Sequence, residues 1–429
     1  MNLLGSYIWH MEWVVTISFG VLLLWISYRL GHQFDFGLPR WVLPGLLMLK
    51  FLLGAVVFYL FTVYYPIRSE ADIFKYFDDA SVLYHYMVLE PAAIDDIMLH
   101  SKVPVEVAPR LKSWFAGGGF HLFDSSRIMV KVHILLRLFS FGSYHFHSFF
   151  FTFLSFLGCV AILKAFKRYA HVNMWAVLAC LMMPSFQLWS SAPLKESVAV
   201  WFLMWVIAGL YQYLHTGDLK RFLMNCCVLV PLYAFKSFYV LLLLPCVAIT
   251  LLIQKPTLFR YAFTVVIGVG LLWIADLTMG SLSPIDIMAR KQLDFFDHFG
   301  DRWAGSMTTT PVLKPHILGF FELLPHAFLN AFLKPLPWES LNPLYLASAA
   351  ENFLVLALIF MIFVKIRYIK QVSDQRFVIF VICFILVVFV MLGFSCPIIG
   401  SLMRFKSPIL VLPPLAFLLV HPFFKSKKL

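Results

Sequence analysis

Glu70-Ala71-Asp72 places two carboxylates close together a few residues past the end of a long apolar run. A carboxylate within hydrogen-bond reach of a hydroxyl can take its proton, and two together can hold a hard divalent cation through oxygen ligands. Asp78-Asp79 follows about two helical turns later, so four acids crowd a short stretch. A second reading stands open beside the chemical one. Ser69 followed by Asp72 fits a variant capping box, and acids in a first helical turn oppose the positive end of the helix dipole whatever else they do.

Cations recur at points where apolar runs end. Arg404 and Lys406 precede the last apolar run, at a depth where fixed positive charge suits a phosphate or simply snorkels to the headgroups. Lys236 sits at a turn between two short runs, and Lys195 opens a helix in Trp189-Ser190-Ser191-Ala192-Pro193-Leu194-Lys195-Glu196. A cation in a first helical turn opposes the dipole, so Lys195 calls for an anionic neighbour: Glu196, another loop or a ligand phosphate. Asp301-Arg302 lies among Phe299, Trp303 and glycines, a mixture that suits a sugar, whose C–H faces stack on rings while its hydroxyls seek charge. The same loop also fits an aromatic anchor in the headgroups. Lys50 interrupts an apolar region and reads as a snorkelling side chain.

The elements that must position these residues are set by composition. Hydrophobic residues make up 61% of the 429 and charged residues 13%, and the mean hydropathy is +0.85. Apolar runs near the roughly 20 residues needed to cross a bilayer recur along the chain, without the strict alternation of barrel strands. The expected fold is therefore all-α, one polytopic transmembrane helical bundle over residues 1–429, with about eleven spans. They fall at residues 13–28, 51–65, 146–163, 174–188, 199–214, 222–234, 238–253, 263–277, 353–364, 377–393 and 409–419. Basic connections at Arg29 and Arg40, Lys164 to Arg168, Lys220-Arg221, Lys255 to Arg260 and Lys365 to Arg376 share one side with Lys425, Lys427 and Lys428, which makes that side cytoplasmic. The N-terminus is then outside and the C-terminus inside, in a cytoplasmic (inner) membrane. The net charge of +12 reports that bias and contact with anionic lipid, not a nucleic-acid partner. Neither a disulfide framework nor a structural metal is expected from the cysteine spacing. Two outer loops, 66–143 and 279–350, are too long for plain connectors and carry juxtamembrane helices. Ile73, Phe77, Ala80, Tyr84 and Met87 recur at helical spacing in the first loop, with Asp72, Lys75 and Asp79 on another face.

Many spans with an acidic triplet in the first large outer loop, followed by juxtamembrane helices, resemble the GT-C class of integral-membrane glycosyltransferases. Glu70-Ala71-Asp72 matches the ExD form of that motif and Asp78-Asp79 the DDx form. The chain departs from the class in having one span before the pair that frames the motif and no large C-terminal outer domain. Arg404-Phe405-Lys406-Ser407-Pro408 also resembles polysaccharide repeat-unit polymerases. The resemblance implies an inverting transfer from a polyprenyl-phosphate or polyprenyl-diphosphate sugar to a glycan, lipid or protein acceptor. Asp72 and Glu70 would be the catalytic pair, with or without a divalent cation. Arg404, Lys406, Lys236, Lys195, Asp301 and Arg302 would bind substrate. A repeat-unit polymerase, a lipid or small-molecule transporter, and a non-catalytic envelope scaffold are the alternatives. The basic-loop bias makes a direct prediction: single cysteines placed in the 66–143 loop label from outside and those beside Lys167 or Lys370 from inside. Reversed accessibility would discard the orientation.

Overall fold

The computed structural model describes residues 3–65, 67–115, 124–254, 258–280, 283–299, 310–339, 341–369, 371–421 and 423. Among them helices dominate and no sheet forms. In chain order they are α1 (Leu3–Phe34), α2 (Val42–Tyr59), α3 (Asp72–Leu89), α4 (Ala93–Met98), α5 (Ser125–Ser140), α6 (Tyr144–Tyr169), α7 (Met174–Leu181), α8 (Pro184–Trp189) and α9 (Lys195–Thr216). There follow α10 (Leu219–Asn225), α11 (Leu229–Leu252), α12 (Leu258–Met279), α13 (Pro284–Phe299), α14 (Ile317–Phe332), α15 (Pro343–Lys365), α16 (Val372–Ser395), α17 (Ile399–Lys406) and α18 (Leu412–Val420). A π-helical turn, Leu60–Tyr64, extends α2.

Seven stretches of helix among the described residues are long and apolar enough to cross a membrane, or up to nine if two bent pairs each count as one span. The chain is a multi-pass helical membrane protein. Three differences from the expected spans have local causes. Residues 174–188 do not form one helix: α7 stops at Leu181 and α8 starts at Pro184, because proline cannot donate to the preceding turn and suits a helix start. The two runs expected on either side of Lys236 lie in one apolar stretch, Leu219–Leu252, whose backbone leaves the helical region at Lys236 itself (φ −149°, ψ 72°). The last expected span is the short α18, preceded by a 41° bend after Ile399–Ile409.

The chain divides into two compact units. The first comprises Met1–Ala165, Gln187–Gly209 and Lys220–Val240. In it α1 packs on α2, and α3 packs on α5. Leu83, Ile97, Trp114, Met129, Val130 and Phe151 form its larger core. On α1, Trp13, Val14, Ile17, Val21 and Trp25 remain exposed at helical spacing, an apolar stripe that suits lipid. The second unit comprises Phe166–Phe186, Leu210–Leu219 and Leu241–Leu429. Its centre is α16, against which α13, α14, α17 and α18 pack. Phe377, Val378, Phe380, Ile382, Phe389 and Phe394 are buried on different sides of α16, as an apolar helix without a polar face requires.

Close approach of α14 and α16 depends on Gly393, where a Cβ would overlap the Ala327 carbonyl. Backbone cannot yield there as a side chain can. Overpacking of this kind typically costs about 1–3 kcal/mol, so Gly393→Val is expected to lower the thermal midpoint in detergent by several degrees. Gly268→Ala, at a position with nothing within 4 Å of an added Cβ, is the control that leaves it unchanged.

Candidate functional site

The acidic triplet sits where α2 ends and α3 begins. After Tyr64 the chain makes a single 3₁₀ turn, Arg68–Glu70, and Ala71 then adopts an extended conformation (φ −80°, ψ 113°) as the cap of α3. Phe74 N–H and Lys75 N–H donate to the Ala71 carbonyl at 2.9 and 3.0 Å, and no side chain caps the helix. The capping box expected from Ser69 and Asp72 is therefore not formed. Asp72 is the first residue of the helix, partly exposed, with its carboxylate 3.8 Å from Lys75 Nζ one turn on. Glu70 is exposed and lines a pocket of about 280 Å³ with Phe61, Tyr64, Tyr65, Ile67 and Ala71.

The other two acids of this stretch have structural partners. Asp78 takes two hydrogen bonds from Arg68, Nε at 2.8 Å and Nη2 at 2.6 Å, while the guanidinium lies 4.2 Å from the Phe74 ring centroid. Asp79, expected on a polar face, is buried. It accepts from Lys112 N–H (2.9 Å), Ser113 N–H (2.7 Å), Ser113 Oγ (2.6 Å) and Trp114 N–H (3.0 Å). That carboxylate replaces water for a turn of loop backbone that packs against α3.

Ala71, Ile73 and Phe74 pack with Val57, Ala192 and Leu194. The residues flanking Asp72 thus touch the segment that leads into α9, and two motifs far apart in sequence form one neighbourhood. Expected as a short outer turn, residues 190–194 are fully buried instead. At the head of α9, Lys195 donates to Ser125 Oγ (2.9 Å) and Ser126 Oγ (3.1 Å) and lies 5.2 Å from the Tyr76 ring centroid. Tyr76 is one turn beyond Asp72 on the same face of α3, so Lys195 stands beside the turn that carries Asp72. Glu196, buried, accepts from Lys236 Nζ at 2.9 Å. The break in α11 brings Lys236 to this acid, so Glu196 is engaged by Lys236, while Lys195 meets two serine hydroxyls and an aromatic face.

Lys50 does not snorkel. It is buried and donates to Gln187 Oε1 (3.2 Å), Ser190 Oγ (2.7 Å) and Ser191 Oγ (3.4 Å). His133 and His147, given no role by their spacing, meet at 2.8 Å through their Nδ1 atoms, and Ser140 Oγ lies 2.9 Å from His147 Nε2. Burial pushes His133 down to about 3, so it is neutral at physiological pH.

In the second unit Lys406 is buried among protein groups and does not reach outward as a snorkelling side chain would. Its ammonium donates to the Ala331 carbonyl (2.8 Å) and Asn352 Oδ1 (3.0 Å), and Asn352 Nδ2 donates to the Lys334 carbonyl at 2.8 Å. Glu351 accepts from Ser185 N–H at 3.1 Å. Arg404, half-buried, lies 5.3 Å from the Phe405 ring centroid. Asp374 joins Tyr211 OH (2.8 Å) and His215 Nε2 (3.2 Å). A carboxylate one turn before an apolar run is the signal that sequence reading passed over at both Glu351 and Asp374. Asp301 and Arg302 lie outside the described residues. Among the described residues no group of three or more His, Cys, Asp or Glu is placed to hold a metal ion.

Comparison with protein-family models, with curated proteins and with solved structures finds no match. The contrast between the acids of α3 is directly testable. An Asn at Asp79 turns one accepting oxygen into a donor that faces backbone N–H groups, and each buried donor left unpaired costs about 1–3 kcal/mol. Asp79→Asn is expected to speed hydrogen exchange at residues 112–114 and lower the thermal midpoint. Asp72→Asn is expected to change neither.

Proposed function

We propose that the chain is a membrane glycosyltransferase of GT-C-like chemistry, which moves a sugar from a polyprenyl-linked donor to an acceptor hydroxyl. The observation that carries this reading is the packing of the Glu70-Ala71-Asp72 turn against the buried segment that presents Lys195 and Glu196. A carboxylate, an ammonium and a pocket walled by Phe61, Tyr64 and Tyr65 then share one end of α2. Aromatic walls suit the apolar faces of a sugar ring or the first carbons of an isoprenoid, and the acid at the rim suits hydroxyls.

In the proposed reaction the acceptor oxygen attacks the anomeric carbon from the face opposite the phosphate. The acceptor O–H proton passes to Asp72, the new C–O bond forms as the bond to phosphate oxygen breaks, and the polyprenyl phosphate or diphosphate leaves with its electron pair. Lys195 would bind the donor phosphate in the ground state as in the transition state, a uniform interaction whose loss raises KM more than it lowers kcat. Glu70 would orient the acceptor or share a divalent cation with Asp72. Lys236 acts through Glu196, and Lys406 and Arg404 have no part in this scheme. The positive-inside bias of the short loops supports placing the site on the outer face of the cytoplasmic membrane, with the C-terminus inside.

General-base catalysis is typically worth about 10² to 10⁴ in rate. In a purified-protein assay over a panel of polyprenyl-linked sugars, Asp72→Asn is expected to remain folded and inserted while losing transfer by that factor. Lys195→Gln is expected chiefly to raise the donor KM. Full transfer by Asp72→Asn would remove Asp72 from catalysis.

A further inference from the structure

The buried stretch 190–194 is not helical, and its way of being held singles out a residue with no part in the chemistry above. Lys50, Gly54, Val57 and Phe61 fall on one stripe of α2 and its π-helical extension, at spacings of four, three and four residues. Each member of the stripe meets the next part of the site in order. Lys50 donates to Ser190 Oγ and Ser191 Oγ. Gly54 admits the Ser191 backbone, since a Cβ there would overlap the Ser191 carbonyl oxygen. Val57 packs in the cluster that holds Ala192 and Leu194 with Ala71 and Ile73. Phe61 lines the same pocket as Glu70. The segment therefore runs along α2 from Lys50 toward the acidic turn and delivers Lys195 there.

Lys50 lies roughly 12 Å along the helix axis from Val42 and about 21 Å from Tyr64, at a rise of ~1.5 Å per residue, which puts it well inside the span. Unwound backbone at such a depth persists only when protein groups satisfy it. Several hydrogen bonds do so: Ser155 Oγ donates to the Ser190 carbonyl (2.6 Å), Ser191 Oγ to the Gln187 carbonyl (2.5 Å) and Ser197 Oγ to the Ala192 carbonyl (2.6 Å). Lys50 adds a charge-assisted bond from a different helix, which no serine within the segment supplies.

We propose that Lys50 is a positioning residue: its ammonium pins the unwound Ser190–Leu194 segment to α2 and so fixes Lys195 and Glu196 relative to the Asp72 turn. The assignment of Lys195 to a donor phosphate rests on the glycosyltransferase reading, whereas the pin itself does not. Hydrogen exchange on the full-length protein in nanodiscs tests the pin. Lys50→Met is expected to raise exchange of residues 190–197 at least tenfold while peptides of α16 stay at the wild-type rate. Ser190→Ala, which removes the 2.7 Å acceptor and leaves the lysine, is expected to raise exchange in the same peptide and serves if Lys50→Met fails to insert. Wild-type exchange of 190–197 in either inserted variant would overturn the proposal.

A transfer assay separates positioning from general loss of structure. Per folded molecule, Lys50→Met is expected to raise the donor KM about tenfold, as Lys195→Gln does, with no further rise in the double variant. Additive effects would mean that Lys50 does not act through Lys195 and would overturn that part. If the wild-type protein transfers no sugar from any donor in the panel, the glycosyltransferase reading fails, and the exchange experiment still decides the pin.

Discussion

Backbone that leaves the helix inside a membrane must find every hydrogen bond within the protein. In the first unit this requirement falls on residues 190–194, and much of the surrounding sequence answers to it. Ser155, Ser191 and Ser197 donate to its carbonyls or to those of its neighbours, and Gly54 withholds a side chain so that α2 can approach. Without those partners the segment would have to be helical, and α8 would run on past Trp189. Lys195 and Glu196 would then not begin a helix beside α3. The position of the candidate site thus follows from a solvation constraint before any catalytic demand is made.

The same constraint sorts the charged residues. A charge buried without partners is expensive enough that it is either paired or neutralised. Lys50 has Gln187 and two serines, Glu196 has Lys236, and Asp79 has a turn of backbone. In the second unit Lys406 has a carbonyl and Asn352, and Asp374 has Tyr211 and His215. Breaking any such pair leaves the other member stranded, so their replacement disturbs structure first. Glu70, Asp72 and Lys195 retain contact with solvent. Side chains at that degree of exposure can exchange protons and meet a ligand without unfolding their surroundings.

Much of the architecture was legible from short-range pattern. The spans of α6, α15 and α16 follow from unbroken apolar runs, and the inward face of α3 follows from Ile73, Phe77, Ala80 and Met87 at helical spacing. What periodicity could not read was which polar residue meets which. Asp79 shares a helical face with Asp72 and Lys75 by spacing, yet its partners at residues 112–114 lie more than thirty positions away. Lys50 looked like a snorkelling lysine because its acceptors belong to a segment that reads as a solvated turn. Lys406 misled for the converse reason: a basic residue before a terminal apolar run suggests an interface, and only the packing of α14 and α15 around it makes it a core residue.

The ambiguity between capping and chemistry at Asp72 turns on one residue of register. Had Ser69 been the cap, the helix would have started earlier and an acid at its third position could have closed a reciprocal capping box. The extended Ala71 moves the start to Asp72 and leaves the cap position without a side-chain acceptor. An acid in the first turn still gains from the helix dipole, at about 0.3–1 kcal/mol for an exposed site. A neutral Asn keeps the shape and forgoes that small term together with the charge facing Lys75 at 3.8 Å. The neighbouring Asp78 and Asp79 are each committed to several hydrogen bonds. Asp72, partly exposed, lies on the helical turn that carries the Tyr76 that Lys195 packs against, and that placement is why the proposed transfer assigns the base to Asp72 and not to its neighbours.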